Sequence, residues 1–131
     1  MAKKILVVDD NATIRDLVVF TLQLDGYEAI SAVDGFDALT QLNKIDAKEM
    51  ELIITDIVMP NMDGFGLIQQ LQKNKSYHKI PILVLTARGL EEDERMARNV
   101  GAAGFIRKPF EPAELLAEVR KLLNNSQKPR G

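Results

Sequence analysis

The sequence predicts a doubly wound α/β domain, (βα)5, with five parallel strands in the order 2-1-3-4-5. Three observations carry that prediction. Five short apolar runs recur along the chain: Ile5–Val8, Tyr27–Ala32, Leu52–Thr55, Ile82–Leu85 and Gly104–Ile106. Segments of helical periodicity separate and follow them, and parallel strands need such crossovers. The 131 residues hold no repeat and no second block of elements, which fits one domain with a genuine core. Right-handed crossovers and short connections make 2-1-3-4-5 the economical order.

The elements can be justified in turn. After the first strand, Asn11 is a good N-cap, Ile14, Leu17, Val18, Thr21 and Leu22 form an inner stripe, and Gly26 supplies a stop. The run Tyr27–Ala32 alternates well enough to be an edge strand. Asp34-Gly35 turns into a helix near Phe36–Asn43. Beyond the third strand, residues 59–64 form a loop rich in turn residues, and a helix over Phe65–Asn74 turns Phe65, Ile68 and Leu71 inward. The fourth helix, Glu91–Val100, is strongly charged and offers only Met96, Ala97 and Val100 for burial. The last helix opens at Glu111-Pro112, with proline in the first turn, and packs Leu115, Leu116, Val119, Leu122 and Leu123. The domain is drawn over residues 1–124, with 125–131 as a flexible tail.

Composition narrows the function. A hydrophobic fraction of 46% and a charged fraction of 27% are ordinary for a soluble globular protein. A net charge of −2 does not favour a polyanion such as nucleic acid. Without cysteine there is no disulfide, thiol nucleophile or thiolate metal site. No apolar run approaches the ~18 residues of a membrane span, and Met-Ala-Lys-Lys leads straight into a strand, so a cytoplasmic location is expected.

A parallel sheet brings its strand C-termini to one edge. Asp9-Asp10, Asp56, Thr86 and Lys108 each follow or close a strand, so residues spread over the chain should meet there. The order 2-1-3-4-5 sets the first and third strands side by side at the topological switch point, where such sheets bind ligands. Strands roughly 4.8 Å apart bring their terminal carboxylates close together. That repulsion needs a proton or a cation to relieve it. An all-oxygen cluster suits Mg2+, which retains waters and shares phosphate oxygens. Singly, each acid could be a helix cap, Thr86 a cap, and Lys108-Pro109 a turn. A cis Lys108-Pro109 bond would aim the lysine at the acids, where it could neutralise a phosphoryl oxygen. His78 belongs to the loop entering the fourth strand, at the opposite edge, and reads as a surface residue. Met59, Met62 and Phe110 read as packing residues, and Asp63-Gly64 as a turn.

With those residues in place, residues 3–124 resemble the receiver (phosphoacceptor) domain of two-component response regulators. The resemblance is carried by Val7-Val8-Asp9-Asp10, by Thr55-Asp56-Ile57-Val58-Met59-Pro60, by Met62-Asp63-Gly64, by Leu85-Thr86-Ala87 and by Lys108-Pro109-Phe110, in that order and with the family's spacing. The chemotaxis receivers have the flavodoxin-like strand order already inferred. The resemblance implies that Asp56 accepts a phosphoryl group from a histidine kinase or phosphotransfer protein. It implies that Asp10, Asp56 and the backbone carbonyl of Val58 hold Mg2+, with Asp9 acting mostly through water. Thr86 and Lys108 would each bind a phosphoryl oxygen, and Phe105 would follow Thr86 as a switch. Such a domain assists its own phosphorylation and dephosphorylation without being a turnover enzyme. A weakly anchored fourth helix places the target surface on Leu90–Val100 and Gly104–Leu123.

Val58 and Arg88, two residues beyond Asp56 and Thr86, stand where the family varies. An apolar Val58 cannot orient a water, so slow-to-moderate loss of the phosphoryl group is expected. No output domain follows, which leaves both a stand-alone regulator and an excised receiver open. A flavin carrier of the same fold would need a phosphate loop where Asp9-Asp10-Asn11 repels phosphate. A phosphatase with an aspartate nucleophile would want an acid at Val58. Gly101-Ala102-Ala103-Gly104 reads as a turn and not a phosphate cradle. An inert receiver-like scaffold acting by contact alone is the remaining alternative, and the intact acid, threonine and lysine set argues against it.

Overall fold

A computed structural model describes residues 3–127, with side chains described through Asn124. Its strands are β1 (Lys4–Val8), β2 (Glu28–Ala32), β3 (Met50–Thr55), β4 (Ile82–Thr86) and β5 (Gly104–Arg107). The helices are α1 (Ala12–Leu24), α2 (Gly35–Asn43), α3 (Gly64–Gln72), α4 (Glu91–Val100) and α5 (Pro112–Gln127). All strand pairs are parallel and the order is β2-β1-β3-β4-β5. This is the doubly wound, flavodoxin-like fold predicted above.

The central strands β1, β3 and β4 are near-continuous apolar runs because both faces of the sheet are covered there, whereas the edge strand β2 is partly exposed. Side chains alternate between the faces, so each run feeds two cores. Ile5, Val7, Leu52, Ile54, Leu83, Leu85 and Ile106 pack against Val18 and Leu22 of α1 and Leu115, Val119, Leu122 and Leu123 of α5. Leu6, Val8, Ile53, Ile82 and Val84 meet Ala38 and Leu42 of α2, Leu67, Ile68 and Leu71 of α3, and Ala97 of α4. A register shift between Lys4 and Ile5 against β3 marks a bulge near Glu51.

Helix ends follow the side chains available. Asn11, Asp34 and Asp63 cap α1, α2 and α3 by accepting from Ile14, Asp37 and Gly66 N–H groups. Gly26 takes φ +90°, the left-handed conformation expected of the stop after α1. In two places the helical stripes differ from expectation. Leu17 is 44% exposed on the outer side of α1, and Met96 is 49% exposed on α4. Each sits at the margin of a stripe, and the sheet reaches only the central residues of the helix above it.

The fourth helix instead buries Asp93, whose carboxylate accepts from Arg88 and from the Leu90 N–H. A single 3-10 turn, Ala47–Glu49, precedes β3 and was not anticipated. Helix α5 runs three residues past the drawn domain boundary, and residues 128–131 of the expected tail lie outside the described residues. Among the described residues no helix is long and apolar enough to cross a membrane.

Candidate functional site

The sheet's hydrogen-bond ladder runs beyond the strands and places the residues that matter. Asp9 N–H donates to the Ala32 carbonyl, Asp56 N–H to that of Val8, and Lys108 N–H to that of Thr86, at 3.1, 3.1 and 2.8 Å. The acids and the lysine therefore leave a rigid edge and not a mobile loop. The Lys108-Pro109 peptide bond is cis. Gly64 closes the other side of the Asp56 backbone. A Cβ on it would lie 2.8 Å from the Ile57 Cα and closer still to the Asp56 carbonyl oxygen. Only glycine lets α3 begin there.

Three carboxylates converge. One oxygen from each of Asp9, Asp10 and Asp56 lies within 4.8 Å of the others. Asp9 and Asp56 are buried while Asp10 is exposed. Lys108 Nζ donates to Asp9 Oδ2 at 2.7 Å and to Asp56 Oδ2 at 2.8 Å, and its side chain is only 10% exposed. Burial pulls the Lys108 ammonium down, but its hydrogen bonds to Asp56 and Asp9, with their negative charges, outweigh this and raise its pKa above the ordinary lysine value. The second oxygens are held by backbone: Asp9 Oδ1 accepts from Asn11 N–H at 2.9 Å and Asp56 Oδ1 from Val58 N–H at 3.1 Å.

An open crevice lies above this cluster, lined among others by Asp10, Asn11, Val58, Ala87 and Pro109. Hard oxygen donors of net negative charge, with one face to solvent, fit a small divalent cation such as Mg2+. Asp9, Asp10 and Asp56 are the residues that could hold it.

The remaining expected residues lie around this centre. Val58 sits on the rim, 52% exposed, and its N–H donates to Asp56 Oδ1. Thr86 is fully buried at the end of β4, where its Oγ1 accepts from Arg88 N–H at 3.2 Å. Phe105 is half-buried and packs against the core on the α3 and α4 side of the sheet. His78 is exposed in the loop before β4, as expected.

Three site-shaping contacts escaped the sequence reading. Arg15 donates from α1 to the Asp9 carbonyl oxygen at 2.7 Å. Asn61 reaches Asp34 across 27 residues of sequence. Arg88 clasps the buried Asp93, which raises the Arg88 pKa. Arg15 lies one helical turn beyond the Asn11 cap and could have been found by that spacing. The other two had no local signal.

Known proteins resemble the chain along nearly its whole length. The response regulator receiver domain family matches residues 5–120. A probable transcriptional regulator, ycf27 of Cyanophora paradoxa, is 40% identical over 97% of this chain and 51% of its own length. The phosphate regulon transcriptional regulatory protein PhoB of Escherichia coli K12 is 38% identical over 94% of this chain and 52% of its own. The chain thus spans about half the length of these curated relatives. Among solved structures, chemotaxis protein CheY4 of Vibrio cholerae superposes with a TM-score of 0.86 at 37% identity, covering 93% of this chain and 99% of that one. Five parallel strands, an acid cluster at their C-terminal edge and this agreement along nearly the whole sequence have one explanation: the chain belongs to the receiver-domain family of two-component response regulators.

Proposed function

We propose that this receiver accepts a phosphoryl group on Asp56 from a phosphohistidine of a histidine kinase or phosphotransfer protein, with Mg2+, and so switches a protein-binding surface. The observation that supports it most is the shared lysine: one ammonium bonded to both Asp9 and Asp56 beneath an open crevice. A carboxylate oxygen of Asp56 attacks phosphorus, the phosphorus–nitrogen bond breaks, and the departing imidazole takes up a proton. Such a loose transition state needs in-line placement and charge neutralisation more than covalent help.

Asp9, Asp10 and Asp56, with the Val58 carbonyl, would hold the Mg2+. When bound, that ion neutralises charge on the phosphoryl oxygens. Lys108 answers a phosphoryl oxygen by releasing one of its two carboxylate partners, and its buried stem keeps the ammonium in place. Thr86 donates its Oγ1–H to another oxygen, the same Oγ1 that accepts from Arg88 N–H. Movement of Thr86 opens space for Phe105 and loosens the β4–α4 connection. The partner surface follows as α4, β5 and α5, over Leu90–Val100 and Gly104–Leu123. A partner that prefers the shifted arrangement stabilises it in proportion to its differential affinity.

Incubation with a small acyl phosphodonor tests the reading. Phosphoryl incorporation should require Mg2+ and fall sharply in Asp10→Ala. Incorporation that ignores both the cation and Asp10 would overturn it.

A further inference from the structure

The loop between β3 and α3, residues 57–63, carries Val58 and follows directly on Asp56. It is tied down by contacts outside the acid cluster. Met59 is buried in the core, and Gly64 N–H donates to the Ile57 carbonyl oxygen at 2.8 Å. At the outer end, Asn61 Nδ2 donates to Asp34 Oδ2 at 3.1 Å. Beside it the Met62 side chain lies on Gly35, where a Cβ would come within 2.8 Å of Met62 Cγ and Sδ.

Asp34 is the N-cap of α2, and its Oδ1 accepts from Asp37 N–H at 2.8 Å. Each oxygen of this carboxylate thus serves a different element. Capping explains the bond to Asp37 but not the second oxygen, nor an asparagine 27 residues away. Asn61 adopts φ 71°, inside a tight turn closed by Met62 N–H on the Pro60 carbonyl oxygen at 2.8 Å. Asparagine tolerates this left-handed conformation better than most residues. The Asp37 N–H first, and the Asn61 amide next, hold the Asp34 carboxyl below its ordinary pKa.

We propose that Asp34 and Asn61 are positioning residues of the Asp56 crevice. Their carboxylate–amide clip fastens the β3–α3 loop to the start of α2 and thereby fixes the Asp56–Val58 segment on which cation binding depends. This inference rests on the Mg2+-dependent acceptor reading given above. It differs from capping in what it couples: loss of either side chain should be felt at the crevice and not only in α2.

Two substitutions separate the roles. Asn61→Gly tolerates the left-handed backbone and removes the side chain that bonds Asp34. Asp34→Ser keeps an N-cap oxygen but is too short to serve both partners. Mg2+ affinity is measured by calorimetry for wild type, both single variants and the double, with thermal midpoints taken alongside. Each single should weaken Mg2+ about fivefold, the size of one ordinary hydrogen bond's net contribution. The double should be no weaker than either single, because both remove the same clip. Unchanged affinity in the singles, or losses that multiply in the double, would overturn the inference. A lowered thermal midpoint with unchanged Mg2+ affinity would reduce the clip to a structural brace and overturn it equally. Absence of Mg2+ binding in wild type would overturn the acceptor reading, and this inference with it.

Discussion

Lys108→Met is the substitution whose consequences the geometry fixes most tightly. The ammonium is bonded to Asp9 and Asp56 at 2.7 and 2.8 Å, and each of these three side chains is at most 10% exposed. Methionine keeps most of the stem's volume, so packing changes little and the charge is what disappears. Two buried carboxylates then face each other and Asp10 within 4.8 Å. At an effective dielectric near 20, each such pair repels by about 3 kcal/mol. Removing one member of a buried pair costs about 3–5 kcal/mol in general. Solvent at Asp10 screens part of this, so a loss of about 3 kcal/mol is expected in the absence of divalent cation.

For a chain of this size that is a fall of about 10 °C in the unfolding midpoint. Mg2+ should reverse much of it, since a ligand about 100-fold above its dissociation constant adds about 2.7 kcal/mol to the folded state. Thermal unfolding of wild type and Lys108→Met, each with EDTA and with saturating Mg2+, reads both effects. The variant should gain more from Mg2+ than wild type does. A midpoint near wild type in EDTA, or the same Mg2+ increment in both proteins, would refute the argument from charge.

Other consequences are equally specific. Gly64→Ala drives a methyl group against the Asp56 and Ile57 backbone, and overpacking of this kind costs about 1–3 kcal/mol, with phosphoryl acceptance falling along with the unfolding midpoint. Asp93→Ala removes the carboxylate that holds Arg88 and the Leu90 N–H, so amide exchange across α4 should accelerate well before that in α3. Asp34 has a lowered pKa, so its contribution is complete above the ordinary value of 3.8 and is lost as pH falls through the folded value. The stability gap between wild type and Asp34→Ser should therefore be full at neutral pH and close in strong acid. A stable acyl-phosphate mimic should shift the backbone amides of Phe105 and α4. Shifts confined to the Asp56 loop would disprove a switch on that face.

Much of this architecture was legible before any coordinates. The central strands announce themselves because a parallel sheet covered on both sides is apolar at nearly every position, as in Leu52, Ile53 and Ile54 of β3. Strand-end acids are legible for a different reason: topology alone brings Asp9 and Asp56 together once the order is known. Leu17 and Met96 were misplaced because a helical stripe read from sequence has no sharp margin, whereas contact with a sheet does. The buried Asp93 was missed because its environment is made by Arg88 and a helix end, both polar in sequence. The bond between Asp34 and Asn61 joins side chains that helix capping and turn formation already account for locally. Such long-range polar pairs leave no periodic trace.

Phosphoryl transfer to one named carboxylate is the centre of this account, and intact mass measurement tests it most directly. Wild type and Asp56→Asn are each incubated with Mg2+ and a small acyl phosphodonor, and the masses are read before the adduct decays. Wild type should gain the mass of one phosphoryl group and Asp56→Asn should gain none. Equal labelling of the two proteins, or no labelling of wild type, would contradict the assignment of Asp56 as the acceptor.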